Sequence, residues 1–296
     1  MDDFPDELEE INNYLRQIQD QYNNMGISDF EGYSPHEMRY VLYDPLGANS
    51  PVQLLKLSDT DYKKVPILNQ IKYLLQLVGE HGELKLTAKG FLPTKIVADI
   101  YRQKFIKDEI IESGLGKLYK ETDSKTINLT RILAELSGLV KKRKNKLSLT
   151  KKAKAELNDN DKLLKNVILT FATKFNWAYY DGYGQNEVGR LGFAFSLILL
   201  AKYGATKRNV SFYAEKYLKA FPELLRYINL LGYEDPKIPF YRAYALRTFY
   251  RFLDYFGVIE PDTNDSWHYE KFVRKTELFD KLIYVRPPGS IFIHYS

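Results

Sequence analysis

Cysteine is absent from the 296 residues. Disulfides and thiolate metal sites are therefore excluded, and a reducing cytoplasm is the compartment that fits. A membrane-length apolar run is also missing. The longest, Leu191 to Ala201, is interrupted only by Gly192 and Ser196 and covers 11 residues. A spanning helix needs roughly 20, so this run reads as a buried helix and no membrane partner is expected. The opening Met1-Asp2-Asp3-Phe4-Pro5-Asp6 is acidic where a secretory signal is basic and then apolar. The four histidines, His36, His81, His268 and His294, lie far apart, and none has a second ligand at a recognised spacing. Gly-x-Ser-x-Gly, Walker and paired-carboxylate signatures are missing too. The sequence thus predicts no catalytic set, no metal and no cofactor.

What is present is unevenly distributed. Residues 1–37 carry ten acidic side chains against one basic, Arg16, leaving the rest of the chain at +14. Between Lys141 and Lys154 there are eight Lys or Arg and no Asp or Glu, and local charge of this kind speaks to partners more than the net +5 does. The acidic N-terminal segment reads as a helix with Leu8, Ile11, Leu15 and Ile18 on one face. That arm is expected to pack on the body or, alternatively, to mask the basic patch. Ser34-Pro35-His36-Glu37 has the form of a capped helix start.

A short phrase occurs twice. Leu84-Lys85-Leu86-Thr87-Ala88-Lys89-Gly90 follows one amphipathic segment (Ile67, Ile71, Leu74, Leu75, Val78), and Leu147-Ser148-Leu149-Thr150-Lys151-Lys152-Ala153 follows another (Leu129, Ile132, Leu133, Leu136, Val140). Each reads as helix, hairpin, short strand, threonine cap and new helix, over 67–105 and 127–157. In the second, Gly138 breaks the helix and Lys141-Lys142-Arg143-Lys144-Asn145-Lys146 is the hairpin loop. A looser copy is read at 244–283, with Gly257 as the helix stop, a turn from Pro261 to Ser266 and a return strand from Trp267 to Val273.

Thirty of the 43 aromatic residues fall in 171–296, which reads as a helical region with an aromatic core. The stretch Trp177 to Gln185 has the most unusual local composition. Its glycines let backbone approach closely, and Tyr180, Asp181 and Tyr183 are the candidates for a pocket edge, against the simpler reading of a tight turn. The expected class is mainly α: an acidic helical arm at 1–40, two hairpin-bearing units at 41–157, and a helical region at 158–296.

The run from Ile132 to Val140, the basic loop and Leu147 to Ala153 resemble the second half of bacterial winged-helix regulators. The resemblance covers about 30 residues and implies a recognition helix, a wing and the helix after it. With the repeated phrase it makes both hairpin-bearing units at 41–157 winged-helix-like in tandem, with the looser copy at 244–283 as a third candidate. It would place Asn128, Thr130, Arg131 and Glu135 on an exposed face toward the major groove of double-stranded DNA. Lys141, Lys142, Arg143, Lys144 and Lys146 would form the wing tip. The region from Leu84 to Lys95 also faintly resembles a segment of uncharacterised bacterial proteins, some of which carry a cysteine-rich SEC-C motif. With no cysteine here, no zinc function follows.

Five cations in six residues are too costly to bury and face solvent. Contact with four or five phosphates would give a log–log salt slope of roughly −4. The hairpins at Gly79 to Glu83 and Pro261 to Ser266 are acidic instead, which favours the alternative of a protein-interaction scaffold. The sequence leaves a DNA-binding regulator and such a scaffold as the two functional expectations.

Overall fold

The computed structural model describes residues 4–179, 181–228, 235–262 and 268–290. These are mainly helical with three small antiparallel sheets, and none of their helices is long and apolar enough to cross a membrane.

Helix α1 (Phe4–Asn24) is followed by α2 (Pro35–Tyr43). The start of α2 is the predicted one: the Glu37 N–H donates to Ser34 Oγ, and the Ser34 N–H donates back to the Glu37 carboxylate at 2.9 Å. The expectation for the arm itself is corrected. Leu8, Ile11, Leu15 and Ile18 neither pack on the body nor cover the basic hairpin; they are 45–59% exposed. Helix α2 is the one element with which α1 makes more than marginal contact among the described residues.

Strand β1 (Val52–Leu54) and α3 (Asp59–Tyr62) lead into α4 (Pro66–Glu80), whose Ile67, Leu68, Ile71, Leu74, Leu75 and Val78 are buried. Next come β2 (Leu84–Lys85), α5 (Thr94–Arg102), α6 (Glu109–Glu112), α7 (Lys125–Leu136), β3 (Val140–Arg143), β4 (Lys146–Leu149) and α8 (Lys151–Glu156). The two repeats do not close two hairpin sheets. Strand β2 pairs with β4, Leu84 opposite Leu147, giving one sheet of order β2-β4-β3. The reason is hydrophobic: Leu84, Leu86 and Leu147 are all buried under the same sheet face, which neither repeat could cover alone. Thr87 caps no helix; its backbone and hydroxyl accept from Gly90 and Phe91 to close a turn. Thr150 does cap α8, accepting from Ala153 N–H at 3.1 Å.

Helix α9 (Asn160–Thr173) packs on α4 and α7. The order then repeats through α10 (Phe193–Tyr203), β5 (Arg208–Asn209), α11 (Val210–Ala220) and α12 (Lys237–Tyr244), which runs on as a π-helical segment, Ala245–Leu253. It continues with β6 (Ile259–Pro261), β7 (Phe272–Lys275) and α13 (Glu277–Leu282). Its sheet order is β5-β7-β6, the same as in the first module: entry strand, return strand, outgoing strand. The junctions coincide bond for bond. Gly138 and Gly257 have φ of 71° and 70°, the left-handed conformation that ends a helix. Thr150 Oγ1 donates to Gly138 O at 2.7 Å, and Thr276 Oγ1 to Gly257 O at 2.9 Å. The looser copy read at 244–283 is therefore the second half of a module that begins at Phe193. Its return strand starts at Phe272 rather than Trp267, and residues 263–267 of its turn lie outside the described residues.

One continuous core joins the modules. Ile67 N–H donates to Tyr255 O at 2.9 Å, and β1 pairs with β8 (Ile283–Val285). The second module's core is aromatic as predicted, with Tyr217 and Tyr244 stacked at 4.5 Å and Trp177 against Phe252 at 5.0 Å.

Candidate functional site

The basic hairpin β3–β4 turns through Lys144 and Asn145, both left-handed at φ 48° and 56°. A two-residue turn of this kind matches the twist of paired strands but favours Asn-Gly. A lysine held there costs about 1 kcal/mol of backbone strain. Lys141, Lys142, Arg143, Lys144 and Lys146 are all exposed, yet they are not equally free. Lys142 Nζ donates to Gly90 O at 3.1 Å, and Lys146 pairs with Glu83 at 2.6 Å, which holds the Glu83 carboxyl below its ordinary range. Lys141, Arg143 and Lys144 have no ion-pair partner among the described residues. The hairpin is also pinned from beneath, since Leu86 N–H donates to Asn145 O at 2.8 Å. It is a fixed loop presenting three exposed cations, of which Lys141 still feels the Glu83 carboxylate.

Helix α7, behind it, departs from the expectation that it offers an exposed reading face. Asn128, Thr130 and Arg131 are buried, Glu135 is half-buried, and Ile132 and Leu136, expected in the core, are half-buried and exposed. The cause is Glu121, whose carboxylate is wholly enclosed. It accepts from Arg131 Nε at 2.7 Å, Asn128 Nδ2 at 2.6 Å and Leu92 N–H at 2.6 Å. Arg131 also bonds Glu135, and the two carboxylates hold its guanidinium charged despite burial. Thr130 Oγ1 accepts from Gln70 Nε2 at 2.7 Å and donates to Thr126 O at 2.8 Å. A buried charge survives only when paired and fully hydrogen-bonded, and this network meets that demand. Periodicity could not find it, because the residues that α7 buries on this side are polar.

The corresponding helix of the second module is equally enclosed. Arg247, in the π-helical segment, is 1% exposed. It pairs with Asp181, and its guanidinium donates to Gly184 O at 3.0 Å, Asn186 O at 3.1 Å and Val188 O at 3.2 Å. Asp181 is thus the anchor of a tight turn, with its carboxylate shielded from solvent. Tyr183 is half-buried against the core, and Tyr180 lies outside the described residues. The nearby cleft of about 390 Å³ is lined by Asn176, Gln185, Asn186, Glu187, Leu191, Leu224 and Tyr227, so neither Asp181 nor Tyr183 forms its edge. The signal that sequence reasoning missed was two arginines four residues apart, Arg247 and Arg251, inside an otherwise aromatic helix.

Where the modules meet, Lys125 and Thr126 of α7 and Leu246, Tyr250, Arg251 and Asp254 line one cleft of about 280 Å³. Arg251 Nη1 donates to Tyr179 O at 2.8 Å. Burial, with Glu109 nearby, pushes the Asp254 carboxyl up to about 6. Helix α7 and the π-helical segment of the second module therefore line a common cleft rather than standing out on an open surface.

No curated protein and no solved structure matches this chain. Residues 63–163 match the family described as the Y4jL N-terminal domain. That span opens just before α4 and closes within α9, so the similarity takes in the first module whole.

Proposed function

We propose that both modules are winged-helix-like and that the chain is a protein-interaction scaffold built on them. The observation that carries this reading is the enclosure of α7. A helix entering a major groove must offer side chains to base edges, and Asn128, Thr130 and Arg131 are committed to Glu121 and Gln70. The second module supports the same reading, since Arg247 is spent on Asp181.

A second reading is favoured by the hairpin. Lys141, Arg143 and Lys144 are exposed cations on a rigid, strained turn, and three phosphates gripped by them would bind DNA without reading its sequence. Anisotropy of a labelled random duplex, titrated at low salt, separates the two. The scaffold reading predicts no binding, and submicromolar binding overturns it. Hairpin binding predicts a log–log salt slope of about −3, with loss on Lys141→Glu/Arg143→Glu/Lys144→Glu. Affinity that survives that triple variant excludes the hairpin.

A further inference from the structure

Helix α1 is 21 residues long, about 30 Å, and carries a row of large apolar side chains out into solvent. Leu8, Ile11, Leu15, Ile18 and Tyr22 in the helix, and Met25 just past its end, are all at least 45% exposed. Their spacing alternates three and four without a break. That is the heptad seam, with Leu8, Leu15 and Tyr22 at a and Ile11 and Ile18 at d, rather than the broader stripe of a helix lying on a globular core.

From this seam we infer that α1 joins copies of this chain in a coiled coil, independently of how the two modules are read. The charge pattern selects the occupant. Glu7 is the one charge at a position flanking the seam, at the first g. From Leu8 onward these positions are neutral, Asn12 and Gln19 at e, Tyr14 and Gln21 at g. In parallel register Glu7 faces the neutral Asn12, so identical helices meet with no like charges opposed. The other charged residues, Asp6, Glu9, Glu10, Arg16 and Asp20, stand at b, c and f, away from the contact. A basic partner lying along the seam would find a single carboxylate beside it, Glu7 at its first turn. A membrane surface is no better suited, since helices that lie on bilayers carry Lys and Arg on the polar face, and here that face is acidic. Five such side chains on each of two helices would bury on the order of 1,000 Å² in total, near the lower bound for a specific interface. Leucine at a with isoleucine at d is also the combination that favours more than two strands, which enlarges the buried area further.

Light scattering and sedimentation of the full chain, from micromolar to about 100 μM where mass action drives association, provide the test. The expected mass is a whole multiple of 34.6 kDa. Leu15→Asp/Ile18→Asp should return it to a single chain with unchanged circular dichroism, because both side chains are exposed in the lone chain. Glu9→Lys/Asp20→Lys, on the outer face, should leave the mass as in the parent. A one-chain mass for the parent at the highest concentration overturns the inference and hands the seam to a partner of different sequence. A multiple that persists in Leu15→Asp/Ile18→Asp overturns it as well, by placing the contact elsewhere.

Discussion

The two modules share one wiring and differ in what fills it. Apart from the short α6, which the first module adds, both run helix, strand, helix, helix, strand, strand and a helix opened by a threonine, and both close with a threonine hydroxyl on a left-handed glycine carbonyl. The first is packed with leucine and isoleucine and turns its sheet through a basic hairpin. The second is packed with phenylalanine and tyrosine. Each encloses the helix that leads into its outgoing strand by the same device, a buried arginine–carboxylate pair, made with unrelated residues: Arg131 with Glu121, and Arg247 with Asp181. The comparison teaches that the chain path is kept by a handful of junction bonds, while the surface a module offers is decided by whichever charge is locked inside it.

The sharpest way to break that comparison is to remove the buried carboxylates. Glu121→Ala and Asp181→Ala each leave an enclosed guanidinium without its counter-charge, and each should cost about 3–5 kcal/mol in urea denaturation. A cost near zero for one of them would show that its module does not rely on the pair.

The junction glycines sharpen it further. A β-carbon on Gly257 would sit 2.9 Å from Lys64 O and 3.1 Å from the Pro66 ring, whereas at Gly138 the nearest atom is Lys152 Cδ at 4.0 Å. Both positions carry the positive-φ penalty of about 1–2 kcal/mol. Gly257→Ala should exceed Gly138→Ala by roughly another 1 kcal/mol, the cost of overpacking. Equal costs would mean that the second module's junction is not wedged against the first.

The smallest effect concerns the cleft between them. The Asp254 carboxyl is raised from 3.8 to about 6, so the native state holds its proton more tightly than the unfolded chain does. Its stabilising share is complete below about pH 4 and is lost as pH rises through 6. Asp254→Asn should remove that decline and gain about 1–2 kcal/mol at pH 8, measured as denaturation midpoints across pH 4–8. An unaltered pH profile would mean that the modules leave Asp254 open to water.

Much of the path was legible in the sequence because it rests on local chemistry. Ser34 and Glu37, Gly138, Thr150, the basic hairpin and the aromatic core all follow from capping, turn and burial rules. Pairing was not legible. Leu84 reads equally well against a partner of its own or against Leu147, and only the shared core decides. The face of α7 was misread for a related reason. Hydrophobic spacing marks buried leucines, but it is silent on Asn128, Thr130 and Arg131, which are buried by hydrogen bonds to groups distant in sequence. The spacing of Leu8, Ile11, Leu15 and Ile18 marks a helix face, but spacing cannot say whether the surface that covers it lies in the same chain, and here it does not.

The absence of cysteine allows the central claim, that α7 faces inward while the hairpin faces solvent, to be tested with single thiols. Thr130→Cys and Lys144→Cys place one each at a wholly buried and an exposed position. In the native protein a thiol reagent should label Lys144→Cys at the rate of a free thiol and Thr130→Cys only after denaturant is added. Labelling of Thr130→Cys in the native protein as fast as Lys144→Cys would place α7 on an open face and contradict the account.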